Sequence, residues 1–208
     1  METNQNPSPT INKCYLINLV IVITLTSYAF GIALVITDAL EDTYAVKFNW
    51  TDDEKEDYIT ILTCSSALGL MIGSLASSKI VQIGRRRAIL LASFVSLGGA
   101  AMQFIINFWT LMIGKIIYGA SAAVLLTGGA LYLSETLPPE KVGSHGFAVN
   151  FGITLGISTI LNVAIPVPED DAKSCVWYAV AIIPIVCGVI NLIIWTIFFR
   201  LEPLGYCI

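Results

Sequence analysis

Six apolar runs, at residues 15–37, 58–78, 88–108, 110–133, 147–165 and 176–199, take up most of this chain. Each is near the length of about 20 helical residues that crosses a hydrocarbon core at 1.5 Å rise per residue. Most are rich in Leu, Ile, Val and Ala. Several carry Gly and Ser at close spacing, which lets helix backbones approach one another in lipid. With 56% hydrophobic and 12% charged residues and a mean hydropathy of +0.78, the chain is too apolar for a soluble domain with a hydrated surface. The expected fold class is all-α, a polytopic membrane bundle of six transmembrane helices. It is flanked by an N-terminal tail at 1–14 and a C-terminal tail at 201–208. The first run follows a single Lys13 and no small-residue cleavage site follows it, so it reads as an uncleaved helix rather than a secretory signal.

Charge placement predicts the orientation. With the N-terminus inside, one side collects Lys13, Lys79, Arg85, Arg86, Arg87, Lys141 and Arg200, against Lys47, Lys55 and Lys173 on the other. Basic residues favour the cytoplasmic side, so N-in and C-in is the expected topology. The first outer loop is acidic, with Asp38, Glu41, Asp42, Asp52, Asp53, Glu54, Glu56 and Asp57, and it explains the net charge of −4 as a solvated loop. No nucleic-acid partner is needed to account for it.

Within that loop Asn49-Trp50-Thr51 has two readings. It is an N-glycosylation sequon on the outer side, and Thr51 with Glu54 three residues on forms a capping box leading into the second span. The five cysteines, Cys14, Cys64, Cys175, Cys187 and Cys207, show no ligand spacing, so neither a disulfide framework nor a metal site is expected. No nucleophile elbow, phosphate loop or dinucleotide fingerprint occurs, and the chain reads as neither an enzyme nor a cofactor binder. His145 reads as a solvated or headgroup residue. Asn107, Asn162 and Asn191 read as interhelical hydrogen-bonders.

The stretch VQIGRRRAIL, residues 81–90, sets three arginines between the second and third runs. Topological anchoring accounts for the cations, but Gly84 before them points to a tight turn at a fixed place. This stretch resembles the turn between the second and third helices of the major facilitator superfamily, where the pattern is G-x-x-x-D-[RK]-x-G-[RK]-[RK]. Further on, Gly114-Lys115 with Gly119, then Tyr132 and Glu135, then Pro138 and Gly143 are similar to the sugar porter series G-R-x-x-x-G, P-x-Y-x-x-E and P-x-x-x-R-G. The resemblance covers essentially the whole chain and implies the N-terminal half of a major facilitator fold.

It also implies roles. Gly84, Arg85, Arg86, Glu135 and Lys115 match a gating charge network, and Asn150 matches a sugar-contacting glutamine of the fifth helix. Lys115 matches an arginine; it keeps the charge but loses the planar fork. An ionisable group inside a span is a functional candidate, but near the outer end of the fourth helix the long Lys115 stem is expected to snorkel to the interface. Several positions depart from the patterns. Val81 stands for the aspartate, Gln82 for the following cation, Ala130 for the proline and Val142 for an arginine. Ala29 stands where proton-coupled relatives carry a carboxylate, so proton coupling is not expected.

Two functions fit. The favoured one is a degenerate, non-transporting half that serves as a structural or accessory subunit of a larger membrane complex, organellar or respiratory. The alternative is facilitative transport of a hexose or similar small solute, as a homodimer or with a separate second half. Either way the expected partners are membrane lipids, a second membrane protein or copy covering the exposed face, and for the carrier a small sugar. The host membrane is left open between plasma membrane and mitochondrial inner membrane.

Overall fold

The computed structural model describes residues 13–105, 107–137, 142–143, 145–165 and 176–197. The expected tails, apart from positions 13 and 14, lie outside these residues, as do Lys141, Lys173, Arg200, Cys175 and Cys207.

Seven α-helices are described. They are α1 (Lys13–Val35), the short α2 (Glu41–Phe48), α3 (Asp52–Ile80), α4 (Arg85–Met102), α5 (Phe108–Thr136), α6 (Phe147–Ala164) and α7 (Val176–Ile197). Of these, five are long and apolar enough to cross a membrane: α1, α3, α5, α6 and α7. The third expected span is shorter than its apolar run. Helix α4 has 18 residues, three of them arginines in its first turn, and ends at Met102. Beyond Met102 the chain turns through Gln103 and Phe104, and α5 begins only after Asn107.

Helices α1 and α5 form the inner pair. Helix α5 packs on α1, α3 and α4, α1 also packs on α6 and α7, and α4 and α7 close the ring. The close approaches depend on small residues. A Cβ on Gly31 of α1 would fall inside the van der Waals envelope of the Ile153 backbone on α6, so only glycine lets these two helices meet at that separation. Between α1 and α7 a polar knot replaces apolar packing. The Trp195 indole N–H donates to Thr26 Oγ1 (3.1 Å), and the Asn191 amide donates to the Leu25 carbonyl (3.2 Å). Thr26 and Asn191 are fully covered by protein, which is how polar groups persist in a bilayer-spanning bundle.

The three expected interhelical asparagines therefore separate. Asn191 is one. Asn107 instead caps α5, its Oδ1 accepting from the Trp109 N–H at 3.1 Å. Asn162 bonds within its own helix, to Ser158.

The acidic loop folds back on itself. A 3-10 turn (Asp38–Leu40) leads into α2, whose C-cap Asn49 is left-handed at φ 52°. The Thr51 N–H and hydroxyl both reach the Glu54 carboxylate, at 3.1 and 2.9 Å, completing the expected capping box. Lys55 neutralises part of the acidity through Glu41 (3.1 Å) and Asp42 (2.6 Å).

Candidate functional site

At one end of the bundle, the residues from the two sequence patterns meet. Helix α3 ends in a 3-10 turn (Val81–Ile83), and Gly84 then adopts φ 134°, ψ 125°, a region that a Cβ strains. That turn aims α4 so that Arg85 reaches Glu135 on α5. Its Nε donates to Oε1 at 3.0 Å, and Nη2 contacts the same oxygen. Both side chains are about a third exposed (36% and 37%), so the pair is charge-assisted but partly screened. Arg86 turns the other way, towards α7. Its Nε and Nη2 lie 3.5 Å from the Trp195 and Thr196 carbonyls. A guanidinium there satisfies C-terminal carbonyls and favours the helix dipole. Trp195 packs edge-to-face on Tyr132, at 5.1 Å and 89°, so the aromatic of the α5 pattern is buried beneath this junction. Val81, at the aspartate position of the family pattern, is 2% exposed and part of the packing rather than of the charge network.

Lys115 lies towards the opposite end and does not snorkel. It is 2% exposed, and its Nζ donates to Thr37 Oγ1 at 2.8 Å beneath the Tyr44 ring, 5.6 Å away. The physical reason is α2, which folds over the ends of the spans. Lys47 of α2 stands over the Trp177 ring, 3.1 Å from its centroid, and Trp177 in turn meets Phe104 and Tyr178. Burial raises the Tyr44 phenol well above its ordinary range and lowers the Lys47 ammonium below its own. Stacked Phe48, Trp50 and Tyr58, with Phe108 edge-on, complete an aromatic shelf at this end.

Asn150 lies in the first turn of α6, on the side where α5 ends, but joins neither cluster. It is exposed on α6, and its amide has no partner among the described residues. Thr154, Ser158 and Asn162 follow it at four-residue spacing and are also exposed, although the exposed Phe151, Leu155 and Leu161 between them are apolar. Asn150 and Asn162 stand out in the sequence one at a time; the i, i+4, i+8, i+12 spacing is the signal that joins them with Thr154 and Ser158. The structure thus brings Gly84, Arg85, Arg86 and Glu135 together and leaves Lys115 and Asn150 each separate. His145 is half-buried and Asn49 is exposed. Among the described residues no cluster of His, Cys, Asp and Glu could hold a metal ion, and Cys64 and Cys187 are free thiols.

The described helices, five of them long and apolar enough to cross a membrane, form a polytopic bundle with a glycine turn and a cross-helix ion pair at one end. The family model for "Sugar (and other) transporter" matches residues 17–201. The chain belongs to that family of integral membrane transporters. Among its relatives, hexose transporter 1 of Plasmodium knowlesi is 24% identical over 198 residues, covering 88% of this chain and 40% of the relative. The D-xylose-proton symporter-like 1 of Arabidopsis thaliana is 31% identical over 111 residues, covering 52% of this chain and 22% of the relative. The fold matches the xylose transporter XylE from E. coli in a partially occluded inward open conformation. The TM-score is 0.74 at 16% identity, covering 91% of this chain and 49% of that one. The chain spans less than half the length of these relatives.

Proposed function

We propose that this chain acts as the first six-helix half of a sugar-porter-type carrier, lining one wall of a path for a hexose or similar small solute. The single observation that carries this reading is the Arg85–Glu135 ion pair, held by the Gly84 turn. A scaffold helix has no need to keep a positive-φ glycine, a guanidinium and a carboxylate in register across 50 residues. The exposed Asn150 amide supports it further, because Thr154 and Asn162 satisfy themselves within α6 whereas an unsatisfied amide facing hydrocarbon is costly and favours a second six-helix half against this helix. In such an arrangement Asn150 presents both a donor and an acceptor to a sugar hydroxyl.

A second reading, an accessory non-transporting subunit, has one observation in its favour. Val81 is buried where a gate would carry an aspartate, so the ion pair lacks that carboxylate to switch against.

The two readings separate in proteoliposomes. Saturable uptake of labelled hexose by the purified chain, alone or with a second half, and its loss in Asn150→Ala, supports the carrier. Fixed-stoichiometry co-purification with a multi-subunit complex, with no uptake and no Asn150→Ala effect, sinks it.

A further inference from the structure

The three adjacent arginines have different tasks, and the last of them lies outside the family pattern. Arg85 is engaged by Glu135 and Arg86 lies against the end of α7. Arg87 is exposed, with no hydrogen bond or ion pair among the described residues. Its place on α4 is informative. Ala88, Ile89, Ala92, Ser93, Ser96, Gly99 and Ala100 form the buried face of that helix, towards α5 and α7. Arg87 heads the opposite face, followed at helical spacing by Leu91 (56% exposed), Phe94 (70%) and Val95 (45%). A Cβ on Gly98, one turn further, would meet nothing within 4 Å. That face is covered by no described helix.

Length fixes the depth of the arginine. Below its first turn α4 offers only about 22 Å of apolar helix at 1.5 Å per residue, against a hydrocarbon core of about 30 Å. Helices α3 and α5, at 29 residues each, set the thickness of the bundle around it. The mismatch draws Arg87 to the hydrocarbon edge, where a long cationic side chain reaches for the headgroups. Lys79 ends a similar exposed row on α3, after Leu68, Ile72 and Leu75, and Ile83, 63% exposed, projects from the turn between the two cations.

We propose that Arg87, assisted by Lys79, binds the phosphate of an anionic phospholipid whose acyl chains lie along Leu91 and Phe94. Charge complementarity selects the lipid: two cations with no carboxylate partner among the described residues face a surface whose anionic members carry a net negative charge. A zwitterionic headgroup offers the same phosphate beside its own cation, and so gains less.

The test uses the full chain purified in mild detergent and exposed to an equimolar mixture of phosphatidylglycerol and phosphatidylcholine, with bound lipid counted by native mass spectrometry. The chain should retain phosphatidylglycerol preferentially. Arg87→Gln should lower that retention roughly fivefold, the worth of one cation near a charged surface, with Arg87→Lys close to wild type and Lys79→Gln intermediate. Inorganic phosphate at about 50 mM should fail to displace the lipid, because it brings no acyl chain to the apolar row. Equal retention of the two lipids by the unmodified chain overturns the proposal without any variant having to fold. Unchanged preference in Arg87→Gln overturns it too, as does displacement by inorganic phosphate, which would reassign the site to a free anion.

Discussion

The two ends of the bundle each hold a basic residue taken from a family pattern, and they treat it in opposite ways. At the arginine end, Arg85 and Glu135 are both partly exposed and opposite in charge, so water and the partner share the work of solvating each. At the other end Lys115 is sealed beneath α2, where its contacts are the Thr37 hydroxyl and the Tyr44 ring and the one carboxylate acting on it, Asp38, does so without an ion-pair contact. A partly exposed pair costs little to break, because water takes the place of the missing partner. A buried ammonium with a neutral acceptor has no such reserve. Charge at the first end can be rearranged during a conformational cycle, and charge at the second behaves as a fixed part of the packing.

Reversing the buried charge tests that contrast most severely. Lys115→Glu places a carboxylate beneath Tyr44 with no cation to receive it. It should cost about 3–5 kcal/mol, seen as failure to elute as a single species in size-exclusion chromatography. A fully dispersed variant of normal thermal stability would show that water reaches this end, and the contrast between the ends would fall.

Thr37→Val comes next. It leaves the Lys115 ammonium without its described acceptor and should cost about 2 kcal/mol, read as a lowered thermal midpoint in detergent. Lys47→Ala removes the cation over Trp177 and should cost about 1 kcal/mol. Increased exposure of Trp177 to an aqueous quencher would accompany it if α2 is held down by that contact.

The smallest stability change is expected at the arginine end. Arg85→Gln should shift the thermal midpoint by no more than about 1 kcal/mol equivalent, while the double exchange Arg85→Glu with Glu135→Arg should return close to the starting value. A loss as large as that of Thr37→Val would mean that Arg85 is as much a packing residue as Lys115.

Much of this fold was legible because membrane helices announce themselves by length and apolarity, and because turn chemistry is local. Gly84 before the arginines and the Thr51–Glu54 spacing each pointed to a feature a few residues wide, and both features are present. Helix α4 ends at Met102, short of the apolar run that contains it, because hydropathy does not mark where Gln103 and Phe104 leave the helix. Asn107 takes the cap of α5 instead. The asparagines show a similar limit. Asn162 and Asn191 sit in comparable apolar surroundings in the chain, yet one bonds to Ser158 four residues back and the other crosses to Leu25 on α1.

What the sequence determined by itself was the class of molecule: membrane-spanning helices, the place of the glycine turn, and the residues matching the sugar-transporter family. Hydropathy, backbone strain and motif spacing are properties of neighbouring residues, so they can be read along the chain. Tertiary structure alone decided which cation is solvated, which is sealed and which faces outward. Arg85 is defined by Glu135 fifty residues away, Lys115 by a short helix that folds back over it, and Arg87 by the absence of any described helix on its side of α4. Electrostatic character depends on what surrounds a charge in three dimensions, and three consecutive arginines with the same intrinsic chemistry acquire three environments only when the helices pack.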